Sequence, residues 1–178
     1  MGAEYTPALW MPADKTNYRA SARPAEHEYD IIVIHCTDGR GFADRTASMW
    51  QEPGHKTSAH FVVGQDGTVV QAVRLADVAQ HAHEANARSV GIEHCARTPA
   101  ELGPDDPGLP PSDALYSASA RLVAWLCKRA GLAPTRGVIL GHAEADPKTT
   151  HTRCPLGCGW DWDHYISLVV ASFNGGAV

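Results

Sequence analysis

The chain has 178 residues, with 15 Lys and Arg against 20 Asp and Glu, giving a formal net charge of −5. Hydrophobic residues make up 44% and charged residues 20%, a composition that suits one globular domain with a real core and excludes a disordered chain. There is no basic stripe to neutralise phosphates and no apolar run near the roughly 18 residues that span a bilayer, which argues against nucleic acid as the main partner and against membrane insertion.

Residues 1–28, spotted with Pro and Ala and weakly periodic, predict an arm wrapped on a domain that spans 29–178. They lack the basic leader and apolar stretch of a signal peptide. The β-branched run 30–37 predicts a strand buried on both faces. Segments 60–64 and 68–73, joined through Asp66-Gly67, predict a hairpin. A third strand covers 89–96; its alternation puts Val90, Ile92 and His94 on one face, and Gly91, Glu93 and Cys95 on the other. The Pro/Gly/Asp loop 98–111 has a length usually associated with function. Ser112 is placed to cap a helix over 113–129, with Leu115, Ala118, Leu122 and Trp125 in one stripe and Gly131 as its stop. A fourth strand follows at 137–141. After Asp161, a stripe of Trp162, Tyr165, Ile166, Val169 and Phe173 predicts the last helix. The fold class is α/β, a mixed central sheet flanked by helices.

The chemistry should lie among the ten histidines and five cysteines. Cys36, Cys95, Cys127, Cys154 and Cys158 are odd in number and scattered, unlike a disulfide framework. His35 ends the first strand, His142 directly follows the fourth, and Cys154 sits in a Thr152-Arg-Cys-Pro155 loop. Side chains leave the core at strand ends and converge on one rim. Two imidazoles and a thiolate there make a plausible tetrahedral Zn2+ set with one open position. A rival set, His151, Cys154, Cys158 and His164, is close enough in sequence to form a structural zinc knuckle, and Cys154 and Cys158 could instead oxidise to a disulfide. Glu93 is a carboxylate inside a strand. It either faces water from an edge, or is enclosed with a raised pKa suited to general acid–base work.

Five motifs then occur in order: Ile34-His-Cys-Thr-Asp-Gly39, Ser58-Ala-His-Phe61, Ser89-Val-Gly-Ile-Glu-His94, Gly141-His142, and His151-Thr-Arg-Cys-Pro155 followed by Trp160-Asp-Trp162. From Tyr29 to Phe173 the chain resembles the zinc-dependent N-acetylmuramoyl-L-alanine amidases of the type 2 family, which includes endolysin-like phage enzymes and peptidoglycan recognition proteins. The resemblance implies that His35, His142 and Cys154 hold Zn2+ and that Glu93 is the catalytic carboxylate. It implies hydrolysis of the amide between N-acetylmuramic acid and L-alanine in bacterial peptidoglycan. Some members carry a catalytic Tyr where this chain has Ala59, so the proton transfer falls on Glu93. Others have Lys two residues before the third ligand; here Thr152 takes that place as the group polarising the carbonyl, with His151, Lys148 and Arg153 nearby. His60, His81 and Asn86 are expected to line the substrate groove. The expected context is a monomeric phage endolysin, made in the cytoplasm and acting on the wall after release. The alternatives are a cytoplasmic enzyme recycling muropeptides and a peptidoglycan-binding module without catalysis.

Overall fold

The computed structural model describes residues 2–20, 23, 28–39 and 41–175. In chain order it has strands β1 (Leu9–Trp10), β2 (Tyr18–Arg19) and β3 (Ile31–Cys36), then helix α1 (Ala43–Met49). Strands β4 (Phe61–Val63), β5 (Val69–Gln71), β6 (Val78–Ala79) and β7 (Ser89–His94) follow. Helix α2 (Asp113–Ala130), strand β8 (Ile139–Gly141) and helices α3 (His142–Ala145) and α4 (Trp162–Asn174) complete it. Six strands form one sheet in the order β1-β5-β4-β7-β3-β8; β2 and β6 pair separately. β3 lies between β7 and β8, parallel to both. β4 runs parallel to β7 and antiparallel to β5. The mixed α/β sheet read from the sequence is the sheet that forms.

The β-branched run takes this central place because helices cover both of its faces. Ile32 and Ile34, with Val90 and Ile92, pack on Leu115, Leu122 and Leu126 of α2. On the other face, Ala43, Ala47 and Trp50 pack on Val62 and Val70, while Ile31 and Val33 meet Ala82 and Ala85. α4 packs outside α2 and buries Tyr165 and Val169. The predicted caps are made. Ser112 Oγ accepts from Leu115 N–H at 3.1 Å, Gly131 turns left-handed at φ 66°, and Asp161 accepts from His164 N–H at 3.0 Å.

The N-terminal arm contributes more than a wrapping. β1 adds to the sheet edge beside β5, β2 pairs with β6, and Tyr5 is buried in the main core. Residues 1, 21–22 and 24–27 of the predicted arm lie outside the described residues. The loop after β7 is pinned by an Arg97–Asp106 ion pair at 2.8 Å and a backbone bridge from Arg97 to Leu109.

Leu122 is fully buried between α2 and the sheet, on the face away from His35, His142 and Cys154. Leu122→Ala should therefore lower stability by about 2–5 kcal/mol in denaturant titration, while metal content per folded chain stays unchanged.

Candidate metal centre

The register of β3 on β7 sets His35 beside Glu93. Alternation then turns both away from α2, because the intervening positions Ile34, Ile92 and His94 face that helix; His94 Nε2 lies 2.7 Å from Ser119 Oγ on α2. His142 opens α3 directly after β8, on the other flank of β3. Cys154 reaches the same rim from its loop, where Cys36 N–H donates to its Sγ at 3.2 Å. The ligand atoms of His35, His142 and Cys154 all lie within 4.8 Å of one another. This is the predicted trio. The knuckle of His151, Cys154, Cys158 and His164 does not assemble among the described residues. His164 is exposed on α4 against the Tyr116 ring, and Cys158 is buried with its thiol donating to Pro155 O at 3.0 Å.

Burial governs the electrostatics. It holds His35 and His81 well below the usual imidazole pKa, with neighbouring histidines pushing the same way. His142 is lowered by burial and then by His151. Burial raises Glu93 to about 8, with the charge of Asp38 adding to it, and raises the Cys154 thiol, with Glu93 adding to that. Without a cation the site thus holds neutral imidazoles, a neutral thiol and a protonated carboxyl at pH 7. Neutral imidazoles keep a lone pair for a metal, and a divalent ion reverses the rise at the thiol. His142 Nε2 and Glu93 Oε2 are enclosed with no hydrogen-bond partner among the described residues. Two imidazoles and a thiol in this setting fit a borderline-soft divalent metal.

The residues assigned to the groove are distributed differently. His60 has no exposed surface; its Nδ1 accepts from Gly91 N–H at 3.0 Å, and its Nε2 lies 3.0 Å from Arg23 Nη2 and 3.3 Å from Asp77 O. Its place is support beneath the rim, a correction to the expected groove position. His81 points its Nδ1 at His35 Nε2, 3.0 Å away. Asn86 Oδ1 accepts from His81 N–H at 3.0 Å and Ala82 N–H at 2.6 Å, so it holds the turn that carries His81. Thr152 is exposed in a cleft of about 230 Å³ beside Cys154, lined also by Asp38, Thr98, Glu101, His151 and Arg153. The His151 ring stacks on His142 at 5.6 Å, whereas Lys148 is occupied at 2.6 Å by Glu84.

Two acids were missed. Asp38 faces the cleft and raises Glu93. Asp146 Oδ2 lies 3.8 Å from His142 Nε2 and 2.5 Å from His83 Nδ1. The second was visible as an i, i+4 spacing from His142 on a short helix.

Residues 25–157 match the Amidase_2 family, N-acetylmuramoyl-L-alanine amidase. The chain belongs to this family. N-acetylmuramoyl-L-alanine amidase A of Achromobacter lyticus is 32% identical to it over 190 residues, 97% of each chain. A mutant endolysin from Bacillus subtilis shares the fold at TM-score 0.68 and 20% identity, over 95% of this chain and 99% of its own. So does a selenomethionine derivative of AmpD, at TM-score 0.69 and 24% identity over the same shares, 95% and 99%. A third likeness is the E. coli amidase AmiD in complex with its substrate anhydro-N-acetylmuramic acid-L-Ala-D-γ-Glu-L-Lys. It has TM-score 0.62 and 21% identity, over 79% of this chain and 57% of that one. The protein is an amidase.

The raised Glu93 has a measurable consequence for the metal-free amidase. A carboxyl whose folded pKa is above its unfolded value of 4.5 stabilises the fold at low pH and loses that contribution as pH rises through about 8. Glu93→Gln, which cannot ionise, should leave the melting temperature of metal-free amidase little changed at pH 5. At pH 9 it should raise stability on the order of 1–3 kcal/mol, because the amide stays neutral where burial and Asp38 oppose the ionised carboxylate.

Proposed function

We propose that the amidase holds Zn2+ through His35, His142 and Cys154 and hydrolyses the amide joining N-acetylmuramic acid to L-alanine in bacterial peptidoglycan. The observation that carries this reading is the placement of Glu93, an enclosed carboxyl paired in register with His35 at the rim where His142 and Cys154 converge. Zinc supplies Lewis acidity in such sites, lowering the pKa of water to about 7 and polarising a carbonyl. Glu93 takes a proton from the attacking water and delivers it to the alanine nitrogen as the C–N bond breaks. Burial raises this carboxyl and a neighbouring cation would lower it again, and a pKa brought close to the working pH in this way suits both halves of that transfer. Thr152, exposed at the cleft, donates a hydrogen bond to the acyl oxygen as charge builds on it. The polar cleft that runs past Asp38, Glu101 and Arg153 gives a stem peptide both acidic and basic partners.

The biological reading is a monomeric, endolysin-like enzyme that degrades the wall after release from the cytoplasm, supported by the likeness to the Bacillus subtilis endolysin. Action on soluble muropeptides is the second reading. The fragment in the AmiD complex is of that kind. New N-terminal alanine released from intact sacculi, and separately from soluble anhydro-muropeptides, decides between the two substrates; no release from either would leave a binding module.

Metal analysis checks the ligands. His35→Ala and Cys154→Ser should lose most of the zinc, whereas Cys158→Ser should keep it, because its buried thiol is committed to Pro155 O. Glu93→Ala and Glu93→Gln should keep zinc and bind substrate, yet release alanine roughly 10²–10⁴-fold more slowly than the native enzyme. Near-native release by zinc-loaded Glu93→Gln would remove Glu93 from the mechanism.

A further inference from the structure

His81 lies on the segment leading into β7 and touches a metal-ligating ring. Its Nδ1 is 3.0 Å from His35 Nε2, and the two rings meet edge to face with centroids 5.0 Å apart. On its far side, His81 Nε2 is 3.1 Å from Ser89 Oγ, and Ser89 Oγ is 2.8 Å from Ala85 O. A carbonyl oxygen only accepts, so the Ser89 hydroxyl must donate to Ala85. Ser89 Oγ then accepts from His81 Nε2–H, which makes His81 Nδ1 the acceptor and puts the proton of His35 on Nε2. Run in the opposite direction, the chain would leave two oxygens facing each other across 2.8 Å without a hydrogen between them. This ordering leaves Nδ1 as the one lone pair on His35 free to donate to a metal.

The surroundings hold that chain in place. A Cβ on Gly91 would come within 2.6 Å of His81 Cγ and Nδ1, so the absence of a side chain in the middle of β7 is what lets the ring lie flat on the strand. Asn86 Oδ1 fixes the backbone on both sides of the His81 peptide by accepting from His81 and Ala82 N–H. His60 Nδ1 accepts from Gly91 N–H and pins the strand beneath the ring.

We infer that His81 is a positioning residue, which sets the tautomer and ring orientation of His35 through the hydrogen-bond chain His35–His81–Ser89–Ala85, with Gly91 making the room. This places His81 behind the His35 ring and takes it out of the substrate groove. Partners of this kind on ligating histidines raise ligand basicity, and their loss typically costs about 10–100-fold in metal affinity.

The inference rests on the metal-centre reading, and its test keeps the two apart. Zn2+ affinity is measured by chelator competition on the native chain and on His81→Ala, His81→Asn and Ser89→Ala. Circular dichroism and melting serve as the fold control. Histidine tautomers of metal-free protein are read by ¹⁵N–¹H NMR. The native chain should show both His35 and His81 as Nε2–H tautomers. His81→Ala should bind zinc about 10–100-fold more weakly; His81→Asn, whose Oδ1 can stand where Nδ1 accepts, should recover most of that loss. Ser89→Ala should weaken binding in the same direction. Native protein that binds no zinc would overturn the metal-centre reading. Native protein that binds zinc, with affinity unchanged in His81→Ala, would overturn this inference alone. So would a native His35 with its proton on Nδ1, a measurement that needs no variant to fold, or an equal loss in His81→Ala and His81→Asn.

Discussion

His35 and Glu93 stand side by side because β3 and β7 run parallel in a register that pairs them, and the chemistry of the molecule depends on that register. The side-chain period of a strand is two, so a slip of one residue in either strand would turn His35 or Glu93 into the Leu-rich face of α2. Burial of Ile32 and Ile34 against Val90 and Ile92 therefore specifies the site as well as the core. β8 extends the same logic on the other flank of β3, because its parallel pairing ends where His142 begins.

His35 is also held from below the sheet. His94 Nδ1 lies 2.9 Å from His35 O, His94 Nε2 2.7 Å from Ser119 Oγ, and that hydroxyl 2.7 Å from the Tyr165 hydroxyl. Burial lowers His94 to about 4, so it stays neutral and can donate at Nδ1 while accepting at Nε2. The chain thus ties the backbone of His35 to α2 and α4 through groups that are all satisfied, the condition under which a buried polar network adds rigidity. His35 is gripped twice, at its carbonyl through one face of the sheet and at its ring through the other.

The parts legible in the sequence are those that composition and spacing determine locally. The β-branched run, the Asp66-Gly67 hairpin, and the Ser112, Gly131 and Asp161 helix signals all stand where they were expected, within a residue or two at their ends. Strands β1, β2 and β6 were not legible: each is two residues long and exists only because a partner from a distant part of the chain lies beside it. α1 follows Phe42, which makes no side-chain cap, so it carries no start signal. In the site, His35, His142 and Glu93 could be picked out by residue type on or beside strands, and Cys154 by its Cys-Pro loop; the structure brings the first two and Cys154 into one cluster. The roles of His60, His81 and Asn86 could not, since a polar residue near a strand end reads the same whether it faces a groove or a neighbouring ring. Only the distances to Gly91, His35 and the His81 peptide separate the two.

The two faces of the sheet carry opposite energetic signs. The α2 face is closed and mainly apolar, with Ile32, Ile34, Ile92, Leu115, Leu122 and Leu126 fully buried and its polar chain of His94, Ser119 and Tyr165 paired. The other face ends in groups that burial opposes, among them an enclosed carboxyl oxygen and an imidazole nitrogen without partners. Each such group costs on the order of 1–3 kcal/mol while it stays unpaired. Confining them to the last turns of the strands limits the damage: Ile32, Val33 and Ile34 keep complete burial, and the polar pairs His35 with Glu93 and Cys36 with His94 come only at the end of the β3–β7 ladder. A cation at that end would offset the cost where it arises, by giving the imidazoles and thiol a partner and lowering the pKa of the carboxyl beside them. Stability and metal affinity would therefore be coupled through the same few atoms, apart from the hydrophobic face.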